Sequence, residues 1–270
     1  MRHTRPLAIL AVTSGLTAAL SAPAYAADAT VSILHAVPGA TVDVYANGDA
    51  ILEDFTPGTL TDPLTLPEGS YDLKVTAAGA GGDGAAVIEA NDVAVPGGAN
   101  VTVVAHLNEG GTPVLTPFVN DTAPTAAGQA RITVRHTAAA PAVDVRANGE
   151  VAFPNLVNPK EAKTDLPAGS VSADVVLAGT DTVAIGPADV DLKEGTNTIV
   201  YAWGSAADDN LDLAVQTIDG LHSAPSGVPS GDGGQSATSG WQQLTVAGGA
   251  ALLMGGFAFA ATRRRQDVRA

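Results

Sequence analysis

The chain has 270 residues, 28 of them acidic and 13 basic, and no cysteine. A surface this acidic repels nucleic acid and anionic lipid headgroups, which argues against a phosphate-binding role. Without cysteine there is no disulfide framework, so each folded unit must stand on its own hydrophobic core.

The N-terminus carries Arg2, His3 and Arg5, an apolar run from Leu7 to Leu20, and Ala24-Tyr25-Ala26. A basic region, a short apolar region and small residues at a cleavage position, in that order, predict a secretory signal peptide over residues 1–26. From residue 27 to residue 243 there are 27 Asp and Glu against seven Lys and Arg, a net charge near −20. Such a charge keeps an exported protein solvated and favours cations or basic partners.

The next feature along the chain is an internal repeat. His35-Ala-Val-Pro-Gly-Ala-Thr-Val-Asp43-Val-Tyr-Ala-Asn47-Gly48 aligns with His136-Thr-Ala-Ala-Ala-Pro-Ala-Val-Asp144-Val-Arg-Ala-Asn148-Gly149. Leu66-Pro67-Glu68-Gly69-Ser70 aligns with Leu166-Pro167-Ala168-Gly169-Ser170, and the run from Asn100 to Leu107 with that from Asn197 to Gly204. Two tandem domains follow, at 28–121 and 129–220, joined by a short linker over 122–128.

Within each repeat the apolar period is two: Val31 and Ile33, Val42 and Val44, Tyr71, Leu73 and Val75, answered by Ile132 and Val134, Val143 and Val145, Val171, Ala173 and Val175. This alternation predicts half-buried strands. Asn47-Gly48 and Asn148-Gly149 tolerate positive φ and predict type I′ hairpin turns. Further strands are expected at 101–107, 114–119, 198–203 and 211–218. About seven short strands per repeat, with no helical period, predict all-β architecture: two tandem antiparallel β-sandwich domains of immunoglobulin- or transthyretin-like type.

Residues 221–243 turn to Ser, Gly, Pro and Ala and are expected to form a flexible stalk. Leu244 to Ala261 carries no charge and is followed by Arg263, Arg264 and Arg265. At 1.5 Å per residue it spans about 27 Å, so a C-terminal transmembrane helix is expected over 244–262, with a basic cytoplasmic tail over 263–270 and the repeats outside. Stalk, apolar segment and Arg cluster also resemble the sorting signal of Gram-positive wall proteins processed by a sortase. The Leu-Pro-x-Thr-Gly pentapeptide is absent, and Val228-Pro229-Ser230-Gly231 departs from it at several positions.

His-Ala-x-Pro followed by Val-Asp-Val-Tyr-x-Asn-Gly resembles the hallmark of a secreted bacterial repeat known as domain of unknown function 4397. The first repeat keeps His35, Asp43, Asn47 and Gly48; the second keeps His136, Asp144, Asn148 and Gly149, with Arg146 at the tyrosine position. The resemblance covers most of residues 28–220. It implies an exported surface protein with a β-sandwich fold and carries no activity with it. The Leu-Pro-x-Gly-Ser turn is similar to that of transthyretin-like modules on bacterial surfaces.

The repeated His35 and Asp43, with His136 and Asp144, form a recurring ionisable pair. If their strands are neighbours, each imidazole would donate to its carboxylate across the sheet as a structural tie. A lone His and Asp are too few for a zinc or hydrolytic site. Asp189, Asp191 and Glu194, and Asp208 with Asp209, are candidate calcium ligands that lack the D-x-D-x-D-G spacing. There is no G-x-S-x-G elbow, and the one Ser beside a His is His222-Ser223 in the stalk, so no enzyme and no cofactor are expected. Gly79 to Gly84 lacks the Lys of a phosphate loop and predicts a mobile hairpin loop. Asn100-Val-Thr and Asn120-Asp-Thr match glycosylation sequons. Tyr45, Tyr71, Tyr201 and Trp203 are the aromatics available for a sugar platform. A non-catalytic surface module with an extracellular protein or glycan partner is the expected function; a glycan- or calcium-binding module is the alternative.

Overall fold

The computed structural model describes residues 27–223. The expected signal peptide, the stalk beyond Ser223, the apolar segment 244–262 and the basic tail lie outside the described residues. The described portion has sixteen strands and no helix.

In the first half the strands are β1 (Ala29–Ala36), β2 (Val42–Ala46), β3 (Asp49–Phe55), β4 (Leu64–Leu66), β5 (Gly69–Ala77), β6 (Ala86–Val95), β7 (Asn100–Leu107) and β8 (Pro113–Val119). They form two sheets, β4-β1-β7-β8 and β3-β2-β5-β6. The second half has β9 (Gln129–His136), β10 (Val143–Ala147), β11 (Glu150–Leu156), β12 (Glu161–Pro167), β13 (Gly169–Leu177), β14 (Val183–Leu192), β15 (Asn197–Trp203) and β16 (Asp212–Ile218). Its sheets, β12-β9-β15-β16 and β11-β10-β13-β14, repeat the same strand order.

The expectation of a purely antiparallel sandwich is corrected at two places. β1 pairs parallel with β7 over Thr30 to Ala36, and β9 pairs parallel with β15. Each connection reverses the chain, and six reversals separate the first strand of a half from the seventh. The two therefore run the same way, and because β7 and β15 each return to the sheet holding the first strand, the contact is parallel.

The expected half-buried strands are corrected as well. β1, β7, β9 and β15 are buried along nearly their whole length on both faces. Ala29, Val31, Ile33, Val101, Val103 and Ala105 turn to their own half and pack on Val42, Val44, Leu73 and Val75. The alternate residues Leu34, Ala36 and Val104 turn the other way and meet Ile199, Tyr201 and Trp203 of the second half. On the far side of β9, Ala130, Ile132 and Val134 pack on Val143, Val145, Val171 and Val175. The two inner sheets are thus stacked, giving four layers in the order outer, inner, inner, outer. A strand buried on both faces reads as a near-continuous apolar run, as Val101-Thr-Val-Val-Ala-His-Leu107 does.

Residues 122–128, expected as a simple linker, are bound to the point where the chain leaves the second half. Thr125 N–H donates to Leu221 O at 2.7 Å, and Ser223 N–H to Thr125 O at 3.2 Å. Leu221 is buried, so residues 221–223 belong to the folded unit rather than to the stalk.

Candidate functional site

The repeated motif lies where β1 leads into β2, and where β9 leads into β10. His35 and His136 are each 1% exposed. Nε2 of His35 donates to Ala40 O at 2.8 Å, and that of His136 to Pro141 O at 3.0 Å. Because a carbonyl can only accept, Nε2 carries the proton in both rings and Nδ1 is left as an acceptor. Nδ1 receives the N–H of Val37 or Ala138 over a long 3.4 Å. Burial holds both imidazoles below the usual histidine range, keeping them neutral.

The structure corrects the expected tie between each His and its Asp: the pairs are not hydrogen-bonded. Asp43 instead accepts two backbone N–H groups, from Asp54 at 2.9 Å and Gly79 at 2.8 Å. Asp144 does the same with Asn155 at 2.7 Å and Gly179 at 2.9 Å. Those two bonds hold the Asp144 carboxyl below the usual carboxylate range. Asp54 and Asn155 sit at φ near 53° and 52°, where the third strand of each half bulges. The His and Asp thus brace two neighbouring loops and the bulged third strand at one end of each half, each through backbone groups. Neighbouring strands had suggested a side-chain pair, but the partners are main-chain groups of loops that no spacing argument could place.

At the opposite end, Asn47 and Gly48 have φ of 53° and 89°, and Asn148 and Gly149 have 52° and 84°, forming the expected two-residue turns. Asn47 Oδ1 also accepts Asp72 N–H at 2.9 Å, and Asn148 Oδ1 accepts Ser172 N–H at 3.1 Å, fastening each hairpin to the neighbouring strand. The Gly79 to Gly84 loop, expected to be mobile, is tied down by Asp43 and by Lys74, whose Nζ donates to Gly82 O at 2.7 Å.

The other candidates fare unequally. Glu194 accepts the N–H of Gly128 at 2.8 Å, and among the described residues no three His, Asp or Glu side chains come close enough to hold a metal ion. Asn120 is buried and donates to Asn100 Oδ1 at 2.6 Å and Thr102 Oγ1 at 2.9 Å, so the sequons sit in a hydrogen-bonded corner of the inner sheet. Tyr45, Tyr201 and Trp203 are buried, leaving Tyr71 as the one partly exposed member of the expected aromatic platform.

The inner-sheet contact contains a polar network around Arg135 and Arg131, neither of which the sequence singles out. Arg135, 1% exposed, lies with its guanidinium 4.4 Å from the Phe118 ring centre. It donates to Tyr201 Oη at 2.8 Å and to Glu161 Oε2 at 2.8 Å. Tyr201 O–H donates onward to Gln216 Oε1 at 2.6 Å, which also accepts Thr102 O–H at 2.9 Å. Arg131 pairs with Asp121 and Asp165, each at 2.8 Å, and Lys163 with Asp121 at 2.7 Å. The Lys163 ammonium holds Asp121 below the usual carboxylate range. The available signal was divergence between the repeats: Val104 and His106 in one stand where Tyr201 and Trp203 stand in the other. Paired register likewise puts Phe118 opposite Thr102 where Gln216 lies opposite Ile199.

A family model described as Domain of unknown function (DUF4397) matches residues 29–146, from β1 through most of β10. No curated protein matches the chain.

Proposed function

We propose that the protein is a non-catalytic module of the cell surface, in which both halves are copies of this domain of unknown function, presented as one stiff block at the outer face of the envelope. The observation that carries this reading is the stacking of the two inner sheets. Leu34, Val104, Phe118, Ile199, Tyr201 and Trp203 share one apolar cluster, crossed by the Arg135, Tyr201 and Gln216 hydrogen bonds. A desolvated contact of this kind suppresses the hinge motion expected of domains that meet through small polar surfaces. The repeated His and Asp side chains are engaged with loop backbone, which supports a bracing role for them.

Each half places its first strand between the fourth and seventh, unlike the immunoglobulin order in which the first pairs with the second. Of the two expected sandwich types we therefore take the transthyretin-like one. The signal peptide, the C-terminal anchor and outward orientation belong to this proposal, as does processing of the tail by a sortase. The test is release of the protein from intact cells by a muralytic enzyme, followed by mass spectrometry. Recovery of a peptide covering Arg263 to Ala270 supports membrane retention, and its loss with a wall fragment attached supports a sortase. Confinement to the cytosolic fraction overturns the surface assignment.

A second reading, glycan binding, draws on an open polar groove of about 580 Å³ in the first half, bordered by Asn47, Asp72, Lys74, Asp83 and Glu89.

A further inference from the structure

The two halves share a fold, yet their cores are filled differently. Between the sheets of the second half lies a cavity of about 90 Å³ lined by Phe153, Leu166, Val171, Ala173, Ile185 and Val200. In the first half the matching space is divided into pockets of about 40 and 10 Å³. The difference comes from side chains at equivalent strand positions. Val171 and Ala173 stand on β13 where β5 carries Tyr71 and Leu73, and Thr164 stands on β12 where β4 carries Leu64.

The lining is almost wholly apolar, so the space offers no set of hydrogen-bond partners for a water. At one edge it meets an ion pair: Arg146 donates to Asp174 through Nε and Nη2, both at 2.7 Å. The two side chains keep 18% and 14% of their surface exposed, so this edge of the lining lies close to solvent. The first half has Tyr45 and Lys74 at these positions, with the Tyr45 ring packed beside Gly82.

We propose that the core of the second half is a binding site for a short hydrocarbon moiety, entering beside the Arg146 and Asp174 pair. An apolar cavity of 150 Å³ takes benzene, so one of about 90 Å³ accommodates about three or four carbons, as a free molecule or as the end of an alkyl or prenyl chain. The inference is independent of the surface role proposed above.

The test uses the full chain with labelled isoleucine and valine methyl groups. Xenon under pressure is expected to shift the methyl resonances of Val171, Ile185 and Val200. Ala173→Leu and Val171→Tyr, each restoring the first half's residue, are expected to abolish the shifts; having two variants keeps the test open if one fails to fold. Competition with xenon by isobutane alone identifies a free hydrocarbon. Competition by geraniol as well, with a shift at the Arg146 guanidinium, identifies a chain end. Absence of xenon shifts in the wild type, shifts retained in both filled variants, or no competition by either hydrocarbon overturns the proposal.

Discussion

The guanidinium of Arg135 in the second half rests 4.4 Å from the ring centre of Phe118 in the first. It is the more deeply buried of two cations at the contact between the halves, 1% exposed against 8% for Arg131, and is held there by the Tyr201 hydroxyl and the Glu161 carboxylate. Removing the guanidinium in Arg135→Ala leaves Glu161 without its cation, Tyr201 without its donor, and a void against Phe118. The expected cost is about 3 kcal/mol, the range for breaking a buried pair by deleting one partner. Urea unfolding of the wild type is expected to show one transition for both halves, and the variant to show a lower midpoint or two separated transitions. An unchanged midpoint contradicts the account of the interface.

Asp43 and Asp144 occupy the same place in the two halves but differ in burial, Asp43 being 4% exposed and Asp144 more open. Each accepts one backbone donor from the bulged third strand of its half and one from the loop after the fifth. Replacing Asp43 by Ala is expected to cost about 2 kcal/mol, because two part-buried N–H groups lose their acceptor. The same change at Asp144 should cost less, since water reaches its loops. Parallel thermal melts decide the order, and a larger loss at Asp144 would contradict it.

Three histidines, His35, His106 and His136, are buried, and burial lowers the pKa of each. In the window below the unfolded value of about 6.5, the unfolded chain binds protons that the folded chain refuses. Stability should therefore fall as pH drops from about 7 to 5, by up to about 1.4 kcal/mol per pH unit for each histidine. The lowered carboxyls of Asp121, Asp144 and Asp174 act in the same direction, but in a separate window below about pH 4. His106→Gln is expected to make the first window shallower and leave the second unchanged, with His35 and His136 still contributing to the first, read as the pH dependence of the urea midpoint.

Gly195 has φ of 69°, and a Cβ there would run into the His222 imidazole. Gly195→Ala is expected to cost about 1 kcal/mol through the left-handed backbone alone. It should also displace the segment carrying Leu221 and Ser223, whose bonds to Thr125 close the end of the fold. Faster amide exchange at Thr125 and Ser223, with Val200 unchanged, is the expected pattern.

Strand positions were legible in the sequence because apolar alternation and Asn-Gly turns act within a few residues. The runs ending in Val44 and Val145, and the turns at Gly48 and Gly149, follow from local sterics and the pleat. The parallel pairs β1 with β7 and β9 with β15, and the backbone partners of His35 and Asp43, were not legible. They depend on which chain segments return to the same sheet, and loop backbone carries no side-chain label.

Length, charge, the absence of cysteine and the internal repeat are read directly from the sequence, and apolar alternation with Asn-Gly turns makes the all-β character of the described residues legible there too. Tertiary structure alone decided that the two halves share a core. Leu34 and Val104 look like the second face of ordinary strands, and Arg135 like a surface cation. Their roles emerge only when the inner sheets stack and exclude water from both sides, which turns exposed faces into interior.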